Sequence, residues 1–222
     1  MLRDLGGGVW SLDLPLRIAG LPLGARMTIL RVDSGLLLHS PVPISDADAA
    51  DLALLGEPRF LLAPSLFHYK FLPAAKARFP GARALGAPGL AEKRPELPLD
   101  GVLAAGSTEL PGVEVFAIGG MPKLGELALL HRASRTLVVT DLLFYHPEPQ
   151  GFLFRTYLRL TGGLGKPTQT LLLRSLTKDR RALAATVRDL LARDWDRLIM
   201  CHGEPLLTGG KDALRAATSW MA

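Results

Sequence analysis

The sequence predicts an α/β fold, an αββα sandwich in which two mixed β-sheets pack face to face with helices outside. Two observations carry this. Apolar residues alternate with a period of two in two separated runs, from "VWSLDLPLRI" to "GLLLHSPV" and from "GVEVFAI" to "TLVVTD", and each run gives way to segments with helical spacing. Two β-rich runs, each followed by helices, need two sheet layers to bury the apolar faces of their strands.

The elements follow in order. "VWSLDLPLRI", "ARMTILRV" and "GLLLHSPV" read as antiparallel strands, with Asp33-Ser34-Gly35 as the turn between the last two. In "SDADAADLALLG", Ser45 or Asp46 caps a helix whose Ala49, Leu52 and Leu55 share one face, and Gly56 stops it. "RFLLA" is a buried strand, followed by a polar corner carrying Ser65 and His68. "LFHYKFLPAAKARF" reads as a helix interrupted or restarted at Pro73, and "ARALGAP" returns to the sheet. "GVEVFAI", "ELALLH" and "TLVVTD" form the second antiparallel run, with "RASR" as a turn. The chain closes with helix "KDRRALAATVRDLLARDW", strand "RLIMC", loop "HGEP" and helix "GKDALRAATSWM".

With 222 residues, 48% of them hydrophobic and 21% charged, the chain can bury a large core, and a single domain over 1–222 is expected. No apolar stretch approaches the ~20 residues that span a bilayer, so no transmembrane segment is expected. The start "MLRDLGGGVW" lacks the apolar middle of a secretory signal, which points to a cytoplasmic location. The single cysteine, Cys201, excludes an intramolecular disulfide and a multi-cysteine zinc knuckle. A net charge of +5 reflects an Arg-rich composition as much as any patch, and no nucleic-acid partner is expected. No G-x-S-x-G elbow supports a serine hydrolase, and "TGGLGKP" departs from a phosphate loop because Pro167 stands where the metal-binding hydroxyl belongs.

Strand "VVTD" ending in Asp141 and "LIMCHGEP" carrying His202, in this order of elements, resemble the metallo-β-lactamase superfamily. There, strand ends deliver metal ligands to one edge of an αββα sandwich. The segments "LLLHSPVP", "LLAPSLFHYKFL", "GELALLHRASRTLVVTDLLF" and "CHGEP" are similar to an uncharacterised branch, the DUF4336 family. The resemblance implies a metal site, but the motif is degenerate. The HxHxDH loop should follow "RFLLA", where the chain reads "PSLFHYKF". One register puts Ser65, Phe67, Tyr69 and Lys70 at the four ligand positions; the other puts Leu66, His68, Lys70 and Phe71 there. The next superfamily histidine falls at Gly120 or Met121 in "GGMPKLG".

Asp141, His202 and His68 are thus the candidate metal ligands, too few for two ions. The expectation is a protein without a resident metal that binds a small anionic molecule or a protein partner. Here Asp141 pairs with His202, and the Lys70 ammonium replaces metal charge. The alternative is a hydrolase of an ester, phosphoester or amide with one zinc, iron or manganese ion on Asp141, His202 and His68. In it Lys70 or Tyr69 polarises the substrate oxygen. A single ion requires that His68 points into the cleft and Lys70 away from it.

His39 and His131 read as hydrogen-bonded structural histidines at strand ends, His146 as exposed in "FYHPEP", and Cys201 as a buried inert thiol. Segment 151–178 carries Arg155, Arg159, Lys166, Arg174 and Lys178 and no acidic residue. It reads as a lid, a homo-oligomer contact or a membrane-surface helix, or else as a helix packed on the core with a solvated basic face.

Overall fold

A computed structural model describes residues 1–18 and 20–221. Seven strands form the first sheet: β1 (Arg3–Asp4), β2 (Val9–Leu14), β3 (Ala25–Val32), β4 (Gly35–His39), β5 (Pro58–Ala63), β6 (Arg83–Gly86) and β7 (Gly101–Val102). They lie in sequence order, antiparallel from β1 to β4 and parallel from β4 to β7. The second sheet has four strands, β8 (Val113–Ala117), β9 (Leu127–His131), β10 (Thr136–Val138) and β11 (Arg197–Ile199), in the order β11-β10-β9-β8. Only its β10–β11 pair is parallel, so both sheets are mixed.

Alternation places three apolar layers. Val9, Leu30, Leu37 and Leu62 of the first sheet meet Leu129, Val138 and Ile199 of the second between the sheets. The opposite face of the first sheet, with Met27, Ile29, Leu38 and Leu61, is covered by Leu52 of α1 (Asp46–Leu55) and Leu72 and Ala75 of α2 (Leu72–Arg78). The outer face of the second sheet packs under Leu183, Val187 and Leu190 of α6 (Arg180–Ala192) and Leu214 of α7 (Gly210–Thr218). The four layers are those that the alternation implies. Shorter helices are α3 (Leu90–Lys93), α4 (Phe152–Leu160) and α5 (Leu171–Ser175), the last two inside segment 151–178.

Local chemistry explains the boundaries. Ser45, rather than Asp46, caps α1: its hydroxyl accepts from Asp48 N–H while the Asp48 carboxylate accepts from Ser45 N–H, a capping box. The helix after "RFLLA" begins only at Leu72, later than the spacing predicts. Pro73 sits in its first turn, where no N–H is needed, and the Ser65 hydroxyl accepts from the N–H groups of Phe67 and His68. Residues 65–71 therefore form a tight corner at the end of β5, and that corner aims His68.

Candidate functional site

Three strand ends converge at one edge of the sandwich. β10 and β11 are parallel neighbours, so the chain leaving Val138 reaches Asp141 beside the chain leaving Ile199, which reaches His202. The corner after β5, from the other sheet, supplies His68. Asp141 stands between the two imidazoles: Oδ2 is 3.3 Å from His68 Nε2 and Oδ1 is 3.4 Å from His202 Nε2.

Backbone and hydroxyl partners orient the rings. His202 Nδ1 donates to the Gly24 carbonyl at 2.7 Å, and the ring meets Phe144 edge-on at 4.9 Å. His68 Nδ1 lies 2.8 Å from Ser40 Oγ. Ser40 ends β4 with a left-handed φ of 55°, uncommon for a residue with a side chain.

Glu126, only 1% exposed, accepts from Thr140 N–H at 2.6 Å and Asp141 N–H at 3.1 Å, which fixes the Asp141 backbone. Burial and then the Asp141 charge push the Glu126 carboxyl up to about 7. On the His202 side, buried Arg26 donates to the carbonyls of Met200 and Gly203 and pairs with Asp13 at 2.7 Å.

Burial alone would favour neutral groups at the centre. The Asp141 charge, with the Cys201 sulfur beside it, outweighs burial at His68 and holds that imidazole well above its ordinary range. At Asp141 burial raises the pKa, but His68 and the hydrogen bonds from both rings overcome it, and the carboxyl stays well below the usual carboxylate range.

The tautomer of His202 bears directly on metal binding. A carbonyl only accepts, so Nδ1 carries the proton, and Nε2 of a neutral His202 turns a lone pair toward Asp141 Oδ1. Two acceptors then face each other, and a cation belongs between them, either a proton on Nε2 or a metal ion. Ser40 Oγ can donate or accept, which leaves Nε2 of His68 free for the same role. Both Nε2–carboxylate contacts are longer than the ~2.7–2.9 Å of a charge-assisted hydrogen bond.

All three donor atoms lie within 4.8 Å of one another. Two imidazoles and a carboxylate, with their far nitrogens held by protein partners, fit one zinc, iron or manganese ion. Among the described residues no other group of three such donors gathers.

Other sequence candidates lie elsewhere. Lys70 is exposed at the cleft mouth, with Nζ 5.1 Å from the Phe71 ring centroid, and it forms no ion pair with Asp141. Tyr69 turns to the outer layer, where its hydroxyl accepts from Arg94 at 3.1 Å; the corner at 65–71 sends alternate side chains apart. Ser65 is spent on its own turn, and Gly120 uses its carbonyl to accept from Lys178 and Asp179 N–H groups.

His131 is hydrogen-bonded, to Ser134 Oγ and the Arg31 carbonyl. His39 differs from expectation. It is wholly buried with neither ring nitrogen bonded to protein, because its cross-strand partner Thr28 offers a hydroxyl that does not reach it. His146 is half-buried rather than exposed, packed edge-on against Phe154, and burial lowers it to about 4. Cys201 is a buried free thiol.

A cavity of about 800 Å³ opens over the cluster. Its wall is mostly apolar, with Leu16, Phe71, Leu124, Phe144 and Leu173, and His68, Asp141 and His202 form its polar floor. Tyr157 of α4 and Leu172 of α5 bring segment 151–178 into the wall.

No protein-family model and no curated protein matches the sequence. Solved structures match over the whole chain. A metallo-β-lactamase from Erythrobacter litoralis, with beta mercaptoethanol in its active site, gives a TM-score of 0.69 at 14% identity, covering 99% of this chain and 96% of its own. The chain has the metallo-β-lactamase fold. A metallo-β-lactamase from Hirschia baltica gives 0.66 at 16% identity over 100% and 96%. FIM-1 from Pseudomonas aeruginosa, in its mono-zinc form, gives 0.63 at 14% identity over 98% and 96%. Identity this low carries the fold and leaves the chemistry to the site.

Proposed function

We propose that this metallo-β-lactamase-fold protein is a hydrolase that holds one metal ion on His68, Asp141 and His202 and cleaves an ester, phosphoester or amide borne on an apolar body. The observation that carries the reading is the convergence of two Nε2 atoms on one carboxylate, His202 Nε2 at 3.4 Å from Asp141 Oδ1 and His68 Nε2 at 3.3 Å from Oδ2. Lewis-acid polarisation of a substrate oxygen and acidification of a water are the chemistry such an ion supplies when bound.

The chain's own residues do the rest. The Gly24 carbonyl and Ser40 hydroxyl hold the two imidazoles with Nε2 inward, and Glu126 holds the Asp141 backbone. The apolar cavity wall takes up the body of the substrate and excludes water around the scissile group. Lys70, exposed at the mouth, attracts an anionic end without crowding the donors. FIM-1 was solved in a mono-zinc form, so a single ion is compatible with this fold. The resemblance of "LLLHSPVP" and "CHGEP" to the DUF4336 branch is consistent with a variant site of this kind.

A second reading is a metal-free binder, in which protons take the place of the ion. It is favoured by the strong mutual stabilisation of charged His68 and Asp141. Titration of chelator-treated protein with zinc, iron(II) and manganese separates the two. The hydrolase reading expects one equivalent bound, lost in both His68→Ala and His202→Ala. Failure of all three metals to bind the wild type would leave the binder.

A further inference from the structure

The cavity wall continues outward into an exposed apolar and basic face of which the hydrolase reading uses only Lys70. Phe154 and Leu158, one turn apart, are buried and seat α4 on the body. Tyr157 on the same helix lines the cavity. Leu153 and Leu160 fall on the Tyr157 side, four residues before it and three after, yet are 76% and 75% exposed, and Phe152 is 80% exposed. On α5, Leu173 is buried while Leu171 and Leu172 are exposed. Phe67 and Ile18, across the mouth, are exposed as well. Exposed apolar side chains gathered around one opening mark a surface that meets something apolar.

Charge says what kind of surface. Arg155 and Arg159 are exposed on the flank of α4 away from Tyr157, Lys166 and Lys178 lie in the same acid-free segment, and Arg17 and Lys70 stand at the mouth. Among the described residues none of these six cations forms an ion pair. A second copy of the chain would bring the same cations against them, because a two-fold contact pairs a patch with itself. An anionic bilayer offers both an apolar layer for Phe152, Leu153, Leu160 and Leu172 and a negative surface for the cations. No helix among the described residues is long and apolar enough to cross a membrane, so the contact is peripheral.

We propose that the face built from α4, α5 and the cavity mouth docks on an anionic lipid surface, with the cavity opening toward the bilayer. The apolar residues enter the headgroup boundary, and the arginines and lysines contact lipid phosphates. Docking does not depend on a metal, so its test is independent of the hydrolase reading.

The experiment is co-sedimentation of the full chain with vesicles of phosphatidylcholine alone and of phosphatidylcholine mixed with phosphatidylglycerol. The wild type is expected to partition onto the mixed vesicles and to be released by added salt. Leu153→Glu/Leu160→Glu and Arg155→Glu/Arg159→Glu are each expected to bind at least about ten-fold more weakly. These side chains are exposed, and an unchanged circular dichroism spectrum and melting temperature exclude misfolding as the cause. Equal binding to both vesicle types, or binding unaffected by either double substitution, overturns the proposal. So does a wild-type dimer that Leu153→Glu/Leu160→Glu converts to monomer without any vesicle binding, since the face would then belong to a second copy.

Discussion

Asp141 lies between His68 and His202, and its two oxygens are divided between them, Oδ2 at 3.3 Å from one Nε2 and Oδ1 at 3.4 Å from the other. Among the described residues Asp141 is the only acid that lines the cavity, and it is the shared counter-charge of the two rings. The shape of the site therefore depends on this one charge, whether a proton or an ion completes it.

Asp141→Asn tests that dependence while nearly preserving shape. In the presence of chelator the variant is expected to lose about 3 kcal/mol of stability, as when one partner of a buried pair is removed. Its affinity for the first metal equivalent is expected to fall at least about 100-fold. Urea unfolding and metal titration give the two numbers. A variant as stable as wild type that still binds one equivalent would show that Asp141 is not the shared charge.

Much of this was legible in the sequence because it sits at strand ends. The alternating runs gave the two layers, and "VVTD" and "CHGEP" pointed to Asp141 and His202 through the superfamily resemblance; the parallel β10–β11 pair is what delivers both strand ends to one edge. His68 was ambiguous by register, since the corner at 65–71 is neither helix nor strand and periodicity says nothing there.

The partners of the site were not legible. Gly24, Ser40 and Arg26 belong to β3 and its neighbours, far along the chain, and only sheet pairing brings them to His202 and His68. Glu126 was hidden in "ELALLH", where a charge at a strand end reads as solvent-facing. Its one visible signal was an acidic residue opening an otherwise apolar strand.

His39 should contribute strongly to the acid limb of stability. Burial, and then the nearby His68 charge, lowers it to about 3. The unfolded chain takes up this proton below about pH 6.5, while the native chain resists it until about pH 3. Stability therefore rises with pH across that window and is lost on acidification, by roughly 2 kcal/mol between about pH 7 and pH 5 from His39 alone. His131 and His146, also lowered by burial, act in the same direction.

Glu126 acts in the opposite sense. Its native pKa of about 7 lies above the ordinary 4.5, so the native state holds the extra proton and stability falls as pH rises between the two. His39→Leu removes two unbonded buried nitrogens along with the titration, so it is expected to flatten the acid limb and to be at least as stable as wild type at about pH 5. Denaturant midpoints across the pH range decide it; an acid limb unchanged in His39→Leu would assign the loss to other groups.

Gly203 follows His202 directly and adopts a φ of +87°. A Cβ there would stand 1.8 Å from the Tyr145 carbonyl oxygen and 2.5 Å from its carbon, both backbone atoms tied to this loop by the Glu204 N–H bond to Tyr145. Neither can move away without carrying the His202 loop with it. Gly209 is a useful contrast, with a φ of +69° and nothing within 4 Å of its Cβ position. Gly209→Ala is expected to cost about 1 kcal/mol from backbone strain alone. Gly203→Ala is expected to cost about 3 kcal/mol or more, because strain and overlap add, and to displace His202 from Asp141. Thermal unfolding of the two variants measures the stability difference, and metal titration reports on His202. Equal losses in both variants, with metal binding intact, would mean that the loop relaxes around the new methyl group and that the glycine is not what holds His202 in place.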